Sequence, residues 1–376
     1  MAEALGHEVF LHVGTPKSGT TYLQGELAHN RALLRRHGYL YPGAKHAAHF
    51  MAALDLRERG FGGHHYRESE GAWQATADEV LAYDGPALIS HEILGGASTE
   101  VIRRAVDSFP GRRVRVVLTC RDLGRQIPAA WQENVKNRST VPYAAFVRRT
   151  FAKWEGAETS SAGIWTAQNL AALARRWGEV VGPENVILVT VPPSGAAPGE
   201  LWRRFAEAVG LPDADYQPST QTSNPSLGTA ETELLRRLTA RLPEDLPWPT
   251  HSRLIKRRLA QKELVEHRTA GMLTVPADHR ARTVEVADEM VTSLRQGGYR
   301  VVGDLADLTP AIREDGTVPA DLTDSQLLDL ALDVMVPLAL REPRRRRGRR
   351  PETAPNGATA SRLRLLAARV RRRLGR

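Results

Sequence analysis

The sequence predicts an α/β protein: a central parallel sheet covered by helices on both faces, followed by a helical extension. Three observations carry this. Short, β-branched apolar runs recur within residues 9–13, 87–89, 114–119 and 185–193, too short for helices and too continuous for half-exposed strands. Amphipathic helical patterns alternate with them. Polar residues gather at the C-terminal ends of the runs, where open parallel sheets bind ligands.

The first run is part of "VFLHVGTPKSGTTYLQ", residues 9–24. Val9, Phe10, Leu11 and Val13 make the strand, residues 14–19 a loop, and Thr20 opens a helix, which is the frame of a phosphate-binding loop and makes the expected architecture P-loop-like, with three layers. A nucleotide-triphosphatase loop would read G-x-x-x-x-G-K-[ST], with its lysine after the second glycine. Here Lys17 precedes Gly19. The lysine therefore sits near mid-loop, while Gly19, Thr20 and Thr21 lie where unpaired N–H groups and the positive dipole end favour an anion. In "TYLQGELAHNRALLRRHG" the residues Tyr22, Leu23, Leu27, Leu33 and Leu34 continue that helix at mostly helical spacing until Gly38 stops it.

The second run ends in Ser90, His91 and Glu92, and the third, in "RRVRVVLTCRD", ends in Arg121. Lys17, His91 and Arg121 thus all fall at strand ends. Helices are expected at 166–182 and 199–211, on either side of the fourth run, and a mostly helical stretch at 213–300, with "GYRVVGDL" the next strand. Pro128 should start or kink a helix after Arg121, and Trp131 and Val135, four apart, read as core. The organisation that follows is an α/β core at 1–212, a helical extension packed on it at 213–340, and a basic tail at 341–376. The tail reads as a disordered linker with a short Arg–Leu amphipathic segment.

The chain has 376 residues, 41% of them apolar, enough for a real core, and a net charge of +9. Residues 341–376 hold fourteen arginines against two acids, a surplus of twelve, so residues 1–340 sit at −3. That distribution argues against a nucleic-acid-binding body, which needs positive charge spread over a face. The tail suits peripheral attachment to an anionic membrane. Cys120 is the single cysteine, which excludes an internal disulfide and fits a reducing compartment. No segment reads as a signal peptide or a membrane span, so the expected location is cytoplasmic. The oligomeric state is not legible.

The loop "TPKSGTTYLQ" closely resembles the signature P-K-[ST]-G-T-[TS] of sulfotransferases that use 3′-phosphoadenosine-5′-phosphosulfate (PAPS), matched in full by Pro16, Lys17, Ser18, Gly19, Thr20 and Thr21. A partial match follows in "CRDLGRQIPAAWQE". The family's 3′-phosphate strand ends in an arginine, then roughly D-P, then a serine eight positions on; here Arg121 and Asp122 match, but Leu123 replaces the proline and Ala129 the serine. The third match is positional: the family's catalytic histidine ends the preceding strand, where Ser90 and His91 stand. The resemblance covers roughly residues 8–212 and is to a bacterial-type member; the late glycine-rich loop of cytosolic members has no recognisable counterpart.

The resemblance implies sulfuryl transfer from PAPS to a hydroxyl of a small molecule or carbohydrate, without a metal. Lys17 would contact the 5′-phosphate and bridging oxygen, Ser18 would restrain it, and Gly19, Thr20 and Thr21 would hold the phosphate. Arg121 would clamp the 3′-phosphate. His91 is the first candidate for general base and Glu92 its rival, since adjacent side chains of an extended segment point to opposite faces. Some carbohydrate-sulfating relatives use a glutamate base nearer the first helix; the matching region here offers His46 and His49. Gln132 and Lys136 are candidates to complete the site that Ala129 leaves short. The rival readings are a P-loop nucleotide kinase and a nucleotide-binding protein that has lost catalysis.

Overall fold

The computed structural model describes residues 7–45, 47–219, 226–268 and 271–340. His46 and the 341–376 tail, with its amphipathic segment and expected membrane attachment, lie outside the described residues. The chain divides into two compact units, Met1–Val334 and Met335–Arg376; the sheet and the cleft belong to the first.

Five strands form one parallel sheet: β1 (Glu8–Gly14), β2 (Ala87–Ser90), β3 (Arg113–Cys120), β4 (Val186–Thr190) and β5 (Arg300–Val302), in the order β2-β1-β3-β4-β5. The four apolar runs became β1 to β4, and "GYRVVGDL" supplied β5. Every residue of β1, β2 and β4 is buried, as a sheet covered on both faces requires. On one face Phe10, Leu88, Val117, Ile187, Val189 and Val302 meet Leu23, Leu27, Leu34, Phe205 and Val209, carried by helices Thr20–His29 (α1), Arg31–Arg36 and Glu200–Val209. Each such side chain contributes roughly 1.5–3 kcal/mol on burial. Helix Leu170–Val181 covers β3 and β4 on the other face, flanked by Thr99–Asp107 and Arg280–Gln296. Chain order reverses between β1 and β3, so the C-terminal ends of β1, β2 and β3 border the crevice where such sheets bind ligands.

Two local expectations are corrected. The helix after the loop is two pieces, broken at Asn30. Asn30 is buried, and its amide exchanges two hydrogen bonds of 2.9 Å with the backbone of Gln217. A long-range tie of that kind fixes the break, and helical spacing alone does not show it. Of the two expectations for Pro128, a start or a kink, the start is corrected: Pro128 lies inside helix Leu123–Lys136, which begins five residues earlier, capped by the Asp122 carboxylate, which accepts from Arg125 N at 3.0 Å. Trp131 and Val135 are fully buried.

The 213–340 stretch contains helices Thr229–Thr239 and Trp248–His251, then the π-helix Ser252–Glu263 and the long helix Arg280–Gln296. Among the described residues, no helix is long and apolar enough to cross a membrane.

Candidate functional site

The loop after β1 is held from below by hydroxyls. Ser18 Oγ lies 2.5 Å from the Thr15 carbonyl and 2.5 Å from Thr119 Oγ1, and Thr119 Oγ1 donates to Gly14 O at 3.0 Å. Ser18 is fully buried. Its hydroxyl therefore shapes the loop, and the expected restraint of Lys17 is not among its bonds. Beneath, the buried His12 ring joins Ser90 Oγ at 2.8 Å and Thr119 Oγ1 at 3.3 Å, linking β1, β2 and β3. Gln168 Nε2 donates to the Pro16 carbonyl at 3.0 Å and Gln126 Nε2 to the same atom at 2.5 Å.

Glycine is required at both ends of this loop. Gly14 has φ +111° and a Cβ there would lie 3.2 Å from Glu92 Cα; Gly19 has φ +89° and a Cβ there would lie 2.4 Å from Leu201 Cδ2. Gly19 is the N-cap of α1, and no side chain caps it. The first N–H groups of α1, at Thr20, Thr21 and Tyr22, therefore remain for an anion.

Lys17, Thr20, Thr21, His91, Glu92 and Arg121 line one cleft of about 540 Å³, together with Pro16 and Gly19. The site residues expected from sequence thus converge on one space, Ser18 alone being buried beneath it.

Lys17 Nζ donates to Glu133 Oε2 at 3.4 Å, whereas Lys256 Nζ holds Glu133 Oε1 at 2.8 Å and Asn137 Oδ1 at 2.7 Å. Lys256 is thus the main partner of Glu133, and Lys17 is loosely held. Burial opposes the Glu133 charge, but Lys256 and Lys17 outweigh it and bring its carboxyl down to about 2. Lys136, 1% exposed, is pushed down to about 8 by burial and then by the charge of Lys17, with Glu133 opposing. Three lysines surround one carboxylate, which leaves this corner net positive. Neither Glu133 nor Lys256 was found from sequence. A signal for Glu133 existed in the polar stripe Gln126, Glu133 and Asn137 along one helix face; Lys256 arrives from a remote π-helix that periodicity does not reveal.

Arg121 donates to the Lys17 carbonyl at 2.8 Å through Nη1, and its buried Nε has no hydrogen-bond partner among the described residues. Burial, then the charge of Arg125, bring the guanidinium down to about 10, with Asp122 opposing. Arg121, Arg125, Ala129, Gln132 and Arg313 border a recess of about 120 Å³. Gln132 itself is engaged, Nε2 donating to Leu227 O at 2.7 Å.

His91 caps the short turn Glu92–Leu94, its Nδ1 accepting from Ile93 N at 3.2 Å. In that arrangement the hydrogen of the neutral ring is on Nε2. Burial lowers the His91 pKa, with Glu92 opposing. Glu92 Oε2 accepts from Gln24 Nε2 at 3.1 Å. Burial works against its charge, but His91, its own backbone N–H and Gln24 outweigh it, so its pKa lies below the ordinary carboxylate value. Arg57 fastens the same turn by donating to Ile93 O at 2.5 Å and Gly96 O at 3.1 Å. His49 is satisfied at both ring nitrogens, with Nε2 2.9 Å from Pro42 O and Nδ1 accepting from Ser90 N at 3.1 Å. Neither nitrogen is left to take a substrate proton.

No protein-family model matches the chain, and no curated protein matches it. Among solved structures, the crystal structure of a sulfotransferase from Alicyclobacillus acidocaldarius is similar at 20% sequence identity and a TM-score of 0.34, over 59% of this chain and 87% of that one.

Proposed function

We propose that this protein is a sulfotransferase that moves a sulfuryl group from PAPS to an acceptor hydroxyl. The observation that carries the reading is the cleft itself. The P-K-S-G-T-T loop, the His91–Glu92 pair and Arg121 leave three neighbouring strand ends and line one space. The residues suit a donor phosphorylated at both ends of its nucleoside. On the 5′ side are Lys17, the uncapped N–H groups of α1 and the lysine excess around Glu133. On the 3′ side is Arg121, with a buried Nε unpartnered among the described residues and two further arginines at its recess. Ala129, where the family has serine, borders that recess; Arg125 there is committed to Asp122 and the Pro192 carbonyl, so Arg121 and Arg313 are the groups offered to the 3′-phosphate in the serine's place.

PAPS supplies an activated S–O bond. The acceptor oxygen–sulfur bond forms as the bond from sulfur to the bridging phosphate oxygen breaks, and adenosine 3′,5′-bisphosphate leaves with its new charge beside Lys17. The acceptor proton passes to a carboxylate. Glu92 suits this role better than His91, because the His91 Nδ1 lone pair already accepts Ile93 N–H while Glu92 Oε1 is not engaged by Gln24. The 213–340 stretch contributes Lys256 to the cleft and β5 to the sheet.

The test is nucleotide preference. Adenosine 3′,5′-bisphosphate should raise the thermal midpoint more than adenosine 5′-monophosphate or ATP with magnesium. Arg121→Ala should narrow the first preference by about 1.5–3 kcal/mol, the worth of a charge-assisted contact. Sulfate transfer from PAPS to a hydroxyl panel completes it. Equal binding of the bisphosphate and monophosphate returns the chain to the kinase or binding-only reading.

A further inference from the structure

Beside the cleft, and sharing Phe50, His91 and Lys256 with it, lies a second depression of about 370 Å³. Its rim carries Arg31, Lys45, Lys256 and Arg257, and among the described residues no carboxylate borders it. Lys45 and Arg257 are exposed and make no ion pair among the described residues. Arg31 donates to the carbonyls of Tyr41 and Ala44 and rests 5.1 Å from the Tyr41 ring, so its charge too meets no acid. Beside the rim, Glu79 accepts from Gly43 N at 2.9 Å, and the acids of the main cleft are committed as well. Glu133 is held by Lys256 and Lys17, and Glu92, held by Gln24, faces the main cleft.

Tyr41, His49, Phe50 and His91 give the depression ring faces of its own, and Phe50 is backed by further rings outside it. The Phe50 ring lies 5.3 Å from His91 and 5.7 Å from both Phe61 and Tyr66, and Phe61 lies 5.7 Å from Trp248. Flat apolar faces next to unneutralised cations suit a ringed molecule bearing a negative group. The shared residues His91 and Phe50 open this depression beside Glu92 in the main cleft.

Resting on the sulfotransferase reading, we infer that this depression seats the acceptor, and that the acceptor is a ringed hydroxyl compound carrying its own negative charge. A sugar acid and an aromatic acid share that chemistry.

Calorimetry with two matched pairs tests it: a glucuronate-containing tetrasaccharide against its carboxyl-reduced counterpart, and 4-hydroxyphenylacetate against its amide. In at least one pair the charged member should bind roughly tenfold tighter at about 50 mM salt, with the gap shrinking at about 500 mM. The pair that responds identifies the source. The double variant Lys45→Ala/Arg257→Ala should erase the gap, with its affinity for adenosine 3′,5′-bisphosphate serving as the check on folding. Equal or absent binding within both pairs, or a gap that survives in a folded double variant, overturns the inference. Failure of wild type to bind the bisphosphate while the charge preference persists overturns the sulfotransferase reading and leaves the anion site standing.

Discussion

Lys17 has a left-handed backbone, φ 68°, and a 3.4 Å contact to a carboxylate that a second lysine holds more tightly. Such a lysine is easily recruited by an arriving phosphate, because Glu133 keeps Lys256 when Lys17 leaves. That arrangement was half legible. The loop motif announces Lys17, but Glu133 and Lys256 are separated from it by more than a hundred residues and meet it only through tertiary packing. The base assignment also turns on one bond, from Ile93 N–H to His91 Nδ1, and no spacing rule shows which of two adjacent side chains makes it. Glu92→Gln should lower turnover about 10²- to 10⁴-fold at saturating donor, with donor affinity nearly unchanged. His91→Asn, which keeps an acceptor for the Ile93 N–H, should retain most turnover. Loss of activity in the asparagine variant with retention in Glu92→Gln would reassign the base to His91.

At the scale of elements, helix Leu123–Lys136 organises the site. Its start is set by Asp122, a buried carboxylate that accepts from Arg125 N and from Ala311 N at 3.0 Å and pairs with the Arg125 side chain. Its polar stripe then delivers Gln126 to the loop and Glu133 to Lys17. From sequence Pro128 offers either a helix start or a kink, since proline favours first turns and removes an interior hydrogen bond. The Asp122 cap was the stronger signal, since a carboxylate at the N-cap satisfies an orphan donor and complements the dipole. Asp122→Ala should cost about 2–4 kcal/mol of stability in denaturant unfolding, because a cap and a buried ion pair go together. Asp122→Asn, which keeps the cap acceptor, should lose less. A loss below about 1 kcal/mol in the alanine variant would show that the helix start is fixed by packing instead.

For the whole molecule, the sheet was legible because the four early runs are buried on both faces over most of their length and so stay largely apolar, a pattern that burial writes directly into sequence. The same burial hides polar groups under the site. His12, in the middle of β1, reads as an interruption of an apolar run, yet it is 1% exposed and bonded to Ser90 and Thr119. Burial pushes the imidazoles of His12 and His49 each down to about 4 from an ordinary 6.5, against smaller opposing contributions from Glu92 for His12 and the Pro42 carbonyl for His49. The unfolded chain takes up protons on both rings below about pH 6.5, and the folded protein resists doing so until about pH 4. The stability they contribute is therefore complete above pH 6.5 and is lost as pH falls through that window, by roughly 3 kcal/mol per ring. Glu133 contributes in the same direction at the acid end of the window, since its carboxyl titrates near 2 when folded and in the ordinary carboxylate range when unfolded. Unfolding free energies measured from pH 7.5 to 4 should decline, with His251, which burial also brings down to about 4, and His91, which burial also lowers, adding to the slope of these two rings, and His12→Gln should remove about one proton from that slope. A flat wild-type profile across that window would show that the two rings titrate in the fold as they do in the unfolded chain, and that the hydroxyl clasp beneath the loop does not depend on their staying neutral.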